Sequence, residues 1–246
     1  GPVMRRACTI NEPNVVATIG YLLGVFPPGQ QDRDLRQRAN EVFVVAHRKA
    51  VDAIRAAAPG VPVGLTLSMD DYQAVDGGES KRDQIRRSME DVFLDATGGD
   101  DFIGVQTYSR QRIGPEGRVD AEEGVPVLPM GYEYYPQALE ATIRRAWEYT
   151  KGEVPLLVTE NGIGTDDDTQ RIAYVRTALE GVLACLADGI DVRGYTCWSL
   201  LDNFEWAFGY GPRFGLVEVD RATFERRPKE SARWLGRVAR ANALVD

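Results

Sequence analysis

The stretch Leu156–Leu157–Val158–Thr159–Glu160–Asn161–Gly162 decides how this chain is read. It opens after Pro155 as a short apolar run, the composition of a strand buried on both faces, and stops at a carboxylate, an amide and a glycine. An unpaired charge is costly inside a strand, so Glu160 belongs where the strand emerges, at its C-terminal end. In parallel α/β folds that end is where chemistry is built. A strand that merely runs into a polar loop has the same local look. A second carboxylate placed in the same way separates the two readings.

That second carboxylate lies upstream. Arg6 to Ile10 reads as a strand ending in Asn11–Glu12–Pro13, again a carboxylate beside an amide, closed by a residue that cannot continue a ladder. Tyr21 to Gly29 is a loop by its Pro and Gly punctuation. Apolar positions at three- and four-residue steps predict a long helix from about Asp32 to Ala58, with His47 packed inside it. Val61 to Ser68 reads as a second strand, and Asp70, Asp71 and Asp76 follow in a solvated loop without the spacing of a calcium site. Lys81 to Ala96 reads as a helix, Phe102 to Tyr108 as a third strand, and Arg110 to Met130 as a long loop without periodicity. A helix over Pro136 to Thr150 precedes the Glu160 strand. Asp166–Asp167–Asp168–Thr169 caps a helix running to Ala187, and Gly189 stops it. Val192 to Ser199 is a fifth strand, leading into Leu200 to Trp206, and a last helix spans Lys229 to Ala241. Alternating strands and helices predict a parallel sheet with helices outside.

The totals narrow the function. The chain has 246 residues, enough for one domain with a substantial core. A net charge of −8 argues against nucleic acid or an anionic membrane as the main partner. There is no transmembrane run and no signal-peptide layout. Cys8, Cys185 and Cys197 are too scattered for a disulfide framework or zinc site, and predict a reducing, cytoplasmic compartment. With His47 the only histidine, a His-ligated metal centre or Ser-His-Asp machinery is disfavoured, and no cofactor is expected. Gly1–Pro2 ahead of Val3–Met4 reads as the scar of a protease cleavage, which leaves residues 4–246 as one domain.

Two carboxylates facing across a cleft, with no metal ligands near them, are the minimum equipment for glycoside hydrolysis. One donates a proton to the leaving oxygen while the other attacks or activates water. The exit after the fifth strand adds Trp198, Phe204 and Trp206 beside Glu205, aromatic faces and an acceptor that suit a sugar.

Three segments carry a resemblance. Thr9–Ile10–Asn11–Glu12–Pro13, Val158–Thr159–Glu160–Asn161–Gly162 and the run Gly194 to Trp206 resemble, in order, the signatures of glycoside hydrolase family 1. Gly209–Tyr210, Arg213 to Leu216 and Val219–Asp220 extend the last. The resemblance implies a retaining β-glycosidase on a (β/α)8 TIM barrel, acting on β-glucosides or similar unphosphorylated β-glycosides. It implies Glu12 as general acid/base, Glu160 as nucleophile, Asn11 on the sugar 2-hydroxyl and Tyr108 as the group orienting the nucleophile. It makes Trp198 a stacking floor, with Glu205 and Trp206 gripping the outer hydroxyls. Phospho-sugar members usually carry a serine and a lysine in that last loop, where this chain has Glu205 and Gly211–Pro212–Arg213. Two local departures stand out. Gln106–Thr107–Tyr108 replaces the usual Asn-Tyr-Tyr, so the longer Gln106 reshapes the sugar floor. Gly131–Tyr132 replaces a Gly-Trp pair beside the aglycone.

The strand count is five rather than eight, and the first matches the family's fourth, so about five of eight strand–helix units are expected. The family's first three strands normally supply a glutamine, a His–Trp pair and an arginine, which these residues do not provide. A truncated gene starting at Met4, a cut chain, or completion of the barrel by another chain each fits. A catalytically silent remnant that binds sugar or a partner protein is the competing expectation, and a metal-dependent hydrolase the third. An incomplete barrel further predicts open sheet edges, and with them a homo-oligomer or association with the missing N-terminal segment.

Overall fold

The structure is a computed structural model describing residues 4–246; the cleavage scar read at the N-terminus lies outside the described residues. Five strands form a parallel sheet in the order β1-β2-β4-β7-β8: β1 (Ala7–Asn11), β2 (Val63–Ser68), β4 (Phe102–Gln106), β7 (Leu156–Glu160) and β8 (Val192–Tyr195). This is the expected α/β arrangement with its five strands. The edge strands β1 and β8 do not pair with one another, so the sheet is open and no barrel closes among the described residues.

Central strands β2 and β4 are buried almost throughout. Their Val, Ile, Leu and Phe side chains explain the continuous apolar reading of both segments. The crossovers are helical. Helix α2 (Arg33–Ala57) joins β1 to β2, capped by Asp32, whose carboxylate accepts from the backbone N–H groups of Asp34 and Leu35. Helices α5 (Ala138–Tyr149) and α6 (Asp168–Ala187) follow β4 and β7, and α6 is capped by Asp167. Leu65, Leu67, Phe93, Ile103, Leu139, Ile143, Leu156 and Val158 pack where these helices meet the sheet, in the main apolar core. His47 is structural, as expected: it is 1% exposed, between the Thr9 hydroxyl at 2.8 Å and Asp100 at 3.3 Å.

Four readings need correction. The residues after Glu12 are helical: Pro13–Val15 is a turn of helix, α1, that runs on as a π-helix over Val16–Leu22, where a loop was expected from Tyr21. The helix expected over Lys81 to Ala96 starts earlier and is broken into α3 (Glu79–Arg86), a π turn (Arg87–Asp91), α4 (Val92–Leu94) and a 3₁₀ turn. The strands expected to reach Tyr108 and Ser199 end at Gln106 and Tyr195. Finally, the expected loop Arg110 to Met130 holds two strands, β5 (Arg110–Gly114) and β6 (Gly117–Arg118), which with β3 (Asp71–Ala74) form a separate small sheet.

That sheet escaped because its residues are polar. Beside the buried Tyr72 and Ile113 it is held by a buried ion pair: Arg110 Nε donates to Glu133 Oε2 at 2.5 Å, and its guanidinium also reaches Gln73 and the half-exposed Glu122. A hairpin of β9 (Val217–Val219) and β10 (Arg226–Pro228) leads to the last helix, α7 (Glu230–Ala241). Among the described residues no helix is long and apolar enough to cross a membrane.

Candidate active site

The C-terminal ends of the sheet strands bring the predicted residues together. Asn11 ends β1, Ser68 ends β2, Gln106 ends β4 and Glu160 ends β7. Glu12 follows β1 in a left-handed conformation (φ 45°, ψ 56°), its N–H held by the Thr66 carbonyl at 3.0 Å. An L residue adopts that conformation at a cost and only where its surroundings enforce it. Pro13 then starts α1.

Two register slips aim the side chains. Along β1 and β2, Cys8 lies opposite Gly64 but Asn11 lies opposite Thr66, one residue out of step. Along β4 and β7, Val105 lies opposite Val158 but Gln106 lies opposite Glu160. Each inserts one extra residue at the site end of its strand, and with side chains alternating at period two this redirects Asn11 and Glu160. The result is a continuous chain of hydrogen bonds. Tyr108 donates its hydroxyl to Glu160 Oε2 at 2.6 Å, and Gln106 Nε2 donates to Glu160 Oε1 at 2.8 Å and to Asn11 Oδ1 at 2.9 Å. The Thr66 hydroxyl donates to the same Asn11 oxygen at 3.0 Å.

Behind Tyr108 lies a second layer to which the sequence motifs assigned no role. The Tyr174 hydroxyl donates to the Tyr108 carbonyl at 2.7 Å, and Asn161 is fully buried, donating to the Thr107 carbonyl at 2.8 Å while accepting from Tyr195 at 2.8 Å. Polar residues on separate helices and strands converge there, and their sequence spacing gives no hint of it.

Electrostatics separate the two glutamates. Burial, and then the charge of Glu160, push the Glu12 carboxyl up to about 8, against a lowering hydrogen bond with Ser68. Burial raises Glu160 as well, while the Tyr108 hydrogen bond pulls it down. Two donors therefore favour the anion at Glu160, whereas Glu12 keeps its proton at neutral pH. Tyr108 is itself held far above the usual phenol range, by burial and then by Glu160 and Glu12, and so remains a donor.

The last loop faces the same site. Glu205 is raised by burial, with Trp198 hydrogen-bonded against that shift, and its charge is felt at both Glu12 and Glu160. Trp206 is 66% exposed and lies tilted against Phe26, ring centroids 5.6 Å apart. The loop is anchored below: Asp202 Oδ1 accepts from the Gly215 N–H at 2.8 Å and from Lys229 Nζ at 3.1 Å. Gly162 lets Trp198 close on the β7 exit, since a Cβ there would fall 2.1 Å from the Trp198 carbonyl oxygen. Several buried polar atoms have no protein partner: Gln106 Oε1, Thr159 Oγ1, Glu205 Oε2 and the Tyr132 hydroxyl. Unpaired groups of this kind are rare in folded proteins. Among the described residues no three His, Cys, Asp or Glu side chains stand close enough to hold a metal ion.

The model of glycosyl hydrolase family 1 matches residues 2–111 and 105–244. A β-galactosidase of Saccharolobus solfataricus is 33% identical over 97% of this chain and 55% of its own length. β-Glucosidase A of Thermotoga maritima is 28% identical over the whole of this chain and 66% of its own. Among solved structures, the β-glycosidase BGL167 superposes with a TM-score of 0.86 at 48% identity, covering 98% of this chain and 63% of that one. A β-glycosidase from Pyrococcus horikoshii gives 0.89 at 31% identity, over 97% and 62%. The chain thus spans between about half and two thirds of the length of these relatives. The matched residues include Glu12 and Glu160, and the chain belongs to glycosyl hydrolase family 1.

Proposed function

We propose that this chain carries the two-glutamate centre of a retaining β-glycosidase acting on β-glucosides or similar unphosphorylated β-glycosides, on units corresponding to the fourth to eighth of a (β/α)8 barrel. The observation that carries the reading is the hydrogen-bonded chain from Asn11 through Gln106 and Glu160 to Tyr108, with Glu12 next to Asn11 at the exit of β1. Glu160, ionised and held by two donors, attacks the anomeric carbon as Glu12 gives its proton to the glycosidic oxygen. The aglycone leaves as an alcohol and the sugar stays esterified to Glu160. Glu12, now a carboxylate, takes a proton from water, whose oxygen attacks the same carbon and releases Glu160. This double displacement requires the two carboxyl groups to lie roughly 5–5.5 Å apart. The Asn11 oxygen is committed to Gln106 and Thr66, which leaves the amide nitrogen to donate to the 2-hydroxyl. Trp198 stacks under the sugar, and Glu205 and Trp206 hold its outer hydroxyls. Turnover of a chromogenic β-glucoside with retention, abolished in Glu160→Gln, is the expected result. No turnover by the intact chain replaces this reading with that of a sugar-binding remnant.

We propose further that the 246-residue chain associates through its sheet edges, with a second copy or with a polypeptide like the uncovered third of its relatives. Edge strand β1 exposes Cys8 and Asn11, and edge strand β8 leads to exposed Thr196. Such edges carry unpaired N–H and C=O groups. Light scattering at micromolar concentration tests this; a well-folded monomer overturns it.

A further inference from the structure

A cleft of about 800 Å³ opens near Glu12, between α1, the start of α2, α3 and the small β3–β5–β6 sheet. It begins at Asn14, two residues beyond Glu12, and at Ser68, whose side chain lies beside the Glu12 carboxyl. Glu160, Gln106, Trp198 and Glu205 take no part in its walls, and Glu12 borders it only through Asn14 and Ser68. If Glu12 protonates the departing oxygen, this cleft receives the group that departs, so the inference rests on the function proposed above.

Its chemistry runs against that of the chain. In a protein of net charge −8 the walls carry four cations, Arg33, Arg36, Lys81 and Arg118, against one carboxylate, Asp70. Among the described residues none of the four has an ion-pair partner. Their hydrogen bonds go to neutral groups: Arg36 to the Ser88 carbonyl at 2.6 Å, Arg118 to the Gly131 carbonyl at 3.1 Å, and Lys81 to Gln84 at 3.4 Å. The single carboxylate is itself engaged, accepting from Gln111 Nε2 at 2.6 Å.

Two buried polar atoms in the same walls lack partners. Arg36 is 8% exposed with Nε unpaired, and Asn14 is 1% exposed with Oδ1 unpaired. Leaving such groups unmet inside a protein is costly, and both lie beneath the cleft surface. Ile19, Ile85 and Tyr72 supply the apolar remainder. A neutral sugar or alkyl aglycone would use this apolar surface and leave the cations idle.

We infer that the cleft is an aglycone subsite selecting β-glycosides whose leaving group joins an apolar body to a carboxylate, with Arg33, Arg36, Lys81 and Arg118 as its specificity-determining residues. The test compares 4-(carboxymethyl)phenyl β-glucoside with its carbamoylmethyl isostere, in which the methylene keeps the leaving phenols nearly equal. At low ionic strength the carboxylate substrate is expected to show kcat/KM about tenfold higher, the sum of several modest charge interactions. That advantage should shrink toward equality at about 1 M salt, where charges are screened beyond about 3 Å. It should also vanish in the combined Arg33→Gln, Lys81→Gln, Arg118→Gln variant. An amide substrate used equally well overturns the inference. If neither substrate turns over, the proposed activity fails, and the cleft is tested alone by calorimetric titration with 4-hydroxyphenylacetate. Binding about tenfold weaker in the triple variant then supports the anion site, and equal binding refutes it.

Discussion

Replacing Glu12 with Gln isolates the cost of keeping a carboxyl where this fold keeps it. The native carboxyl sits at about 8 against an ordinary 4.5, mainly because it is buried and secondarily because Glu160 is close. The native state therefore holds a proton that the unfolded chain releases between those two values. Stability is unaffected below about pH 4.5, falls as the pH climbs toward 8, and is flat above that. At about 1.4 kcal/mol per pH unit the whole span has an upper bound of about 5 kcal/mol. Relaxation and water entry at the open face of the sheet reduce that to about 2 kcal/mol. Gln is nearly isosteric and never ionises, so the variant escapes this loss. Differential scanning calorimetry at pH 4.5 and pH 9 reads the difference. Glu12→Gln should match the parent at the lower pH and melt about 4–8 °C higher at the upper one, given about 2–4 °C per kcal/mol for a chain of this size. Buried Glu90, also raised to about 8, contributes the same slope to both proteins and cancels. A melting difference that does not change with pH, or a variant less stable at pH 9, refutes the reasoning.

With Glu12 as the acid, initial rates on a chromogenic β-glucoside should decline as the pH rises through about 8, and a rate still climbing at pH 9 contradicts that role. Tyr108→Phe removes the 2.6 Å hydrogen bond to Glu160, and should lower kcat roughly 10- to 100-fold while shifting the acidic limb of the pH profile upward. Gly162→Ala drives a Cβ to 2.1 Å from the Trp198 carbonyl oxygen; urea denaturation should show a loss of about 3 kcal/mol. Asp168→Ala strips a charge partner from buried Arg171 and two hydrogen bonds from Ser231 at the start of α7, and should cost about 3 kcal/mol by the same measurement.

The parallel sheet was legible because its strands are short apolar runs punctuated by Gly and Pro, and each ends where polar residues begin. The small sheet was not. Asp71–Ala74 and Arg110–Gly114 bury only Tyr72 and Ile113 as large apolar side chains, and Arg110 with Glu133, Glu122 and Gln73 supplies polar contacts that neither hydropathy nor alternation reports. The α1 segment escaped for a related reason. Its helix begins at Pro13 out of a left-handed Glu12 and widens into π turns, where apolar residues do not recur at 3.6 spacing.

The site divides along the same line. Glu12 and Glu160 announced themselves, because packing alone gives an apolar strand no reason to end in a carboxylate. What the sequence could not convey is how Asn11 and Glu160 come to share Gln106. That depends on register: each slip is one residue in the pairing of neighbouring strands, set by tertiary contact and invisible in either strand alone. Without the slip between β4 and β7, Thr159 would lie opposite Gln106, and Glu160 would turn toward the other face. It would then lose Gln106 as a donor and drop out of the chain of hydrogen bonds that reaches Asn11. The meeting of Asn11, Gln106 and Glu160 therefore rests on two misaligned backbone pairings as much as on the residues themselves.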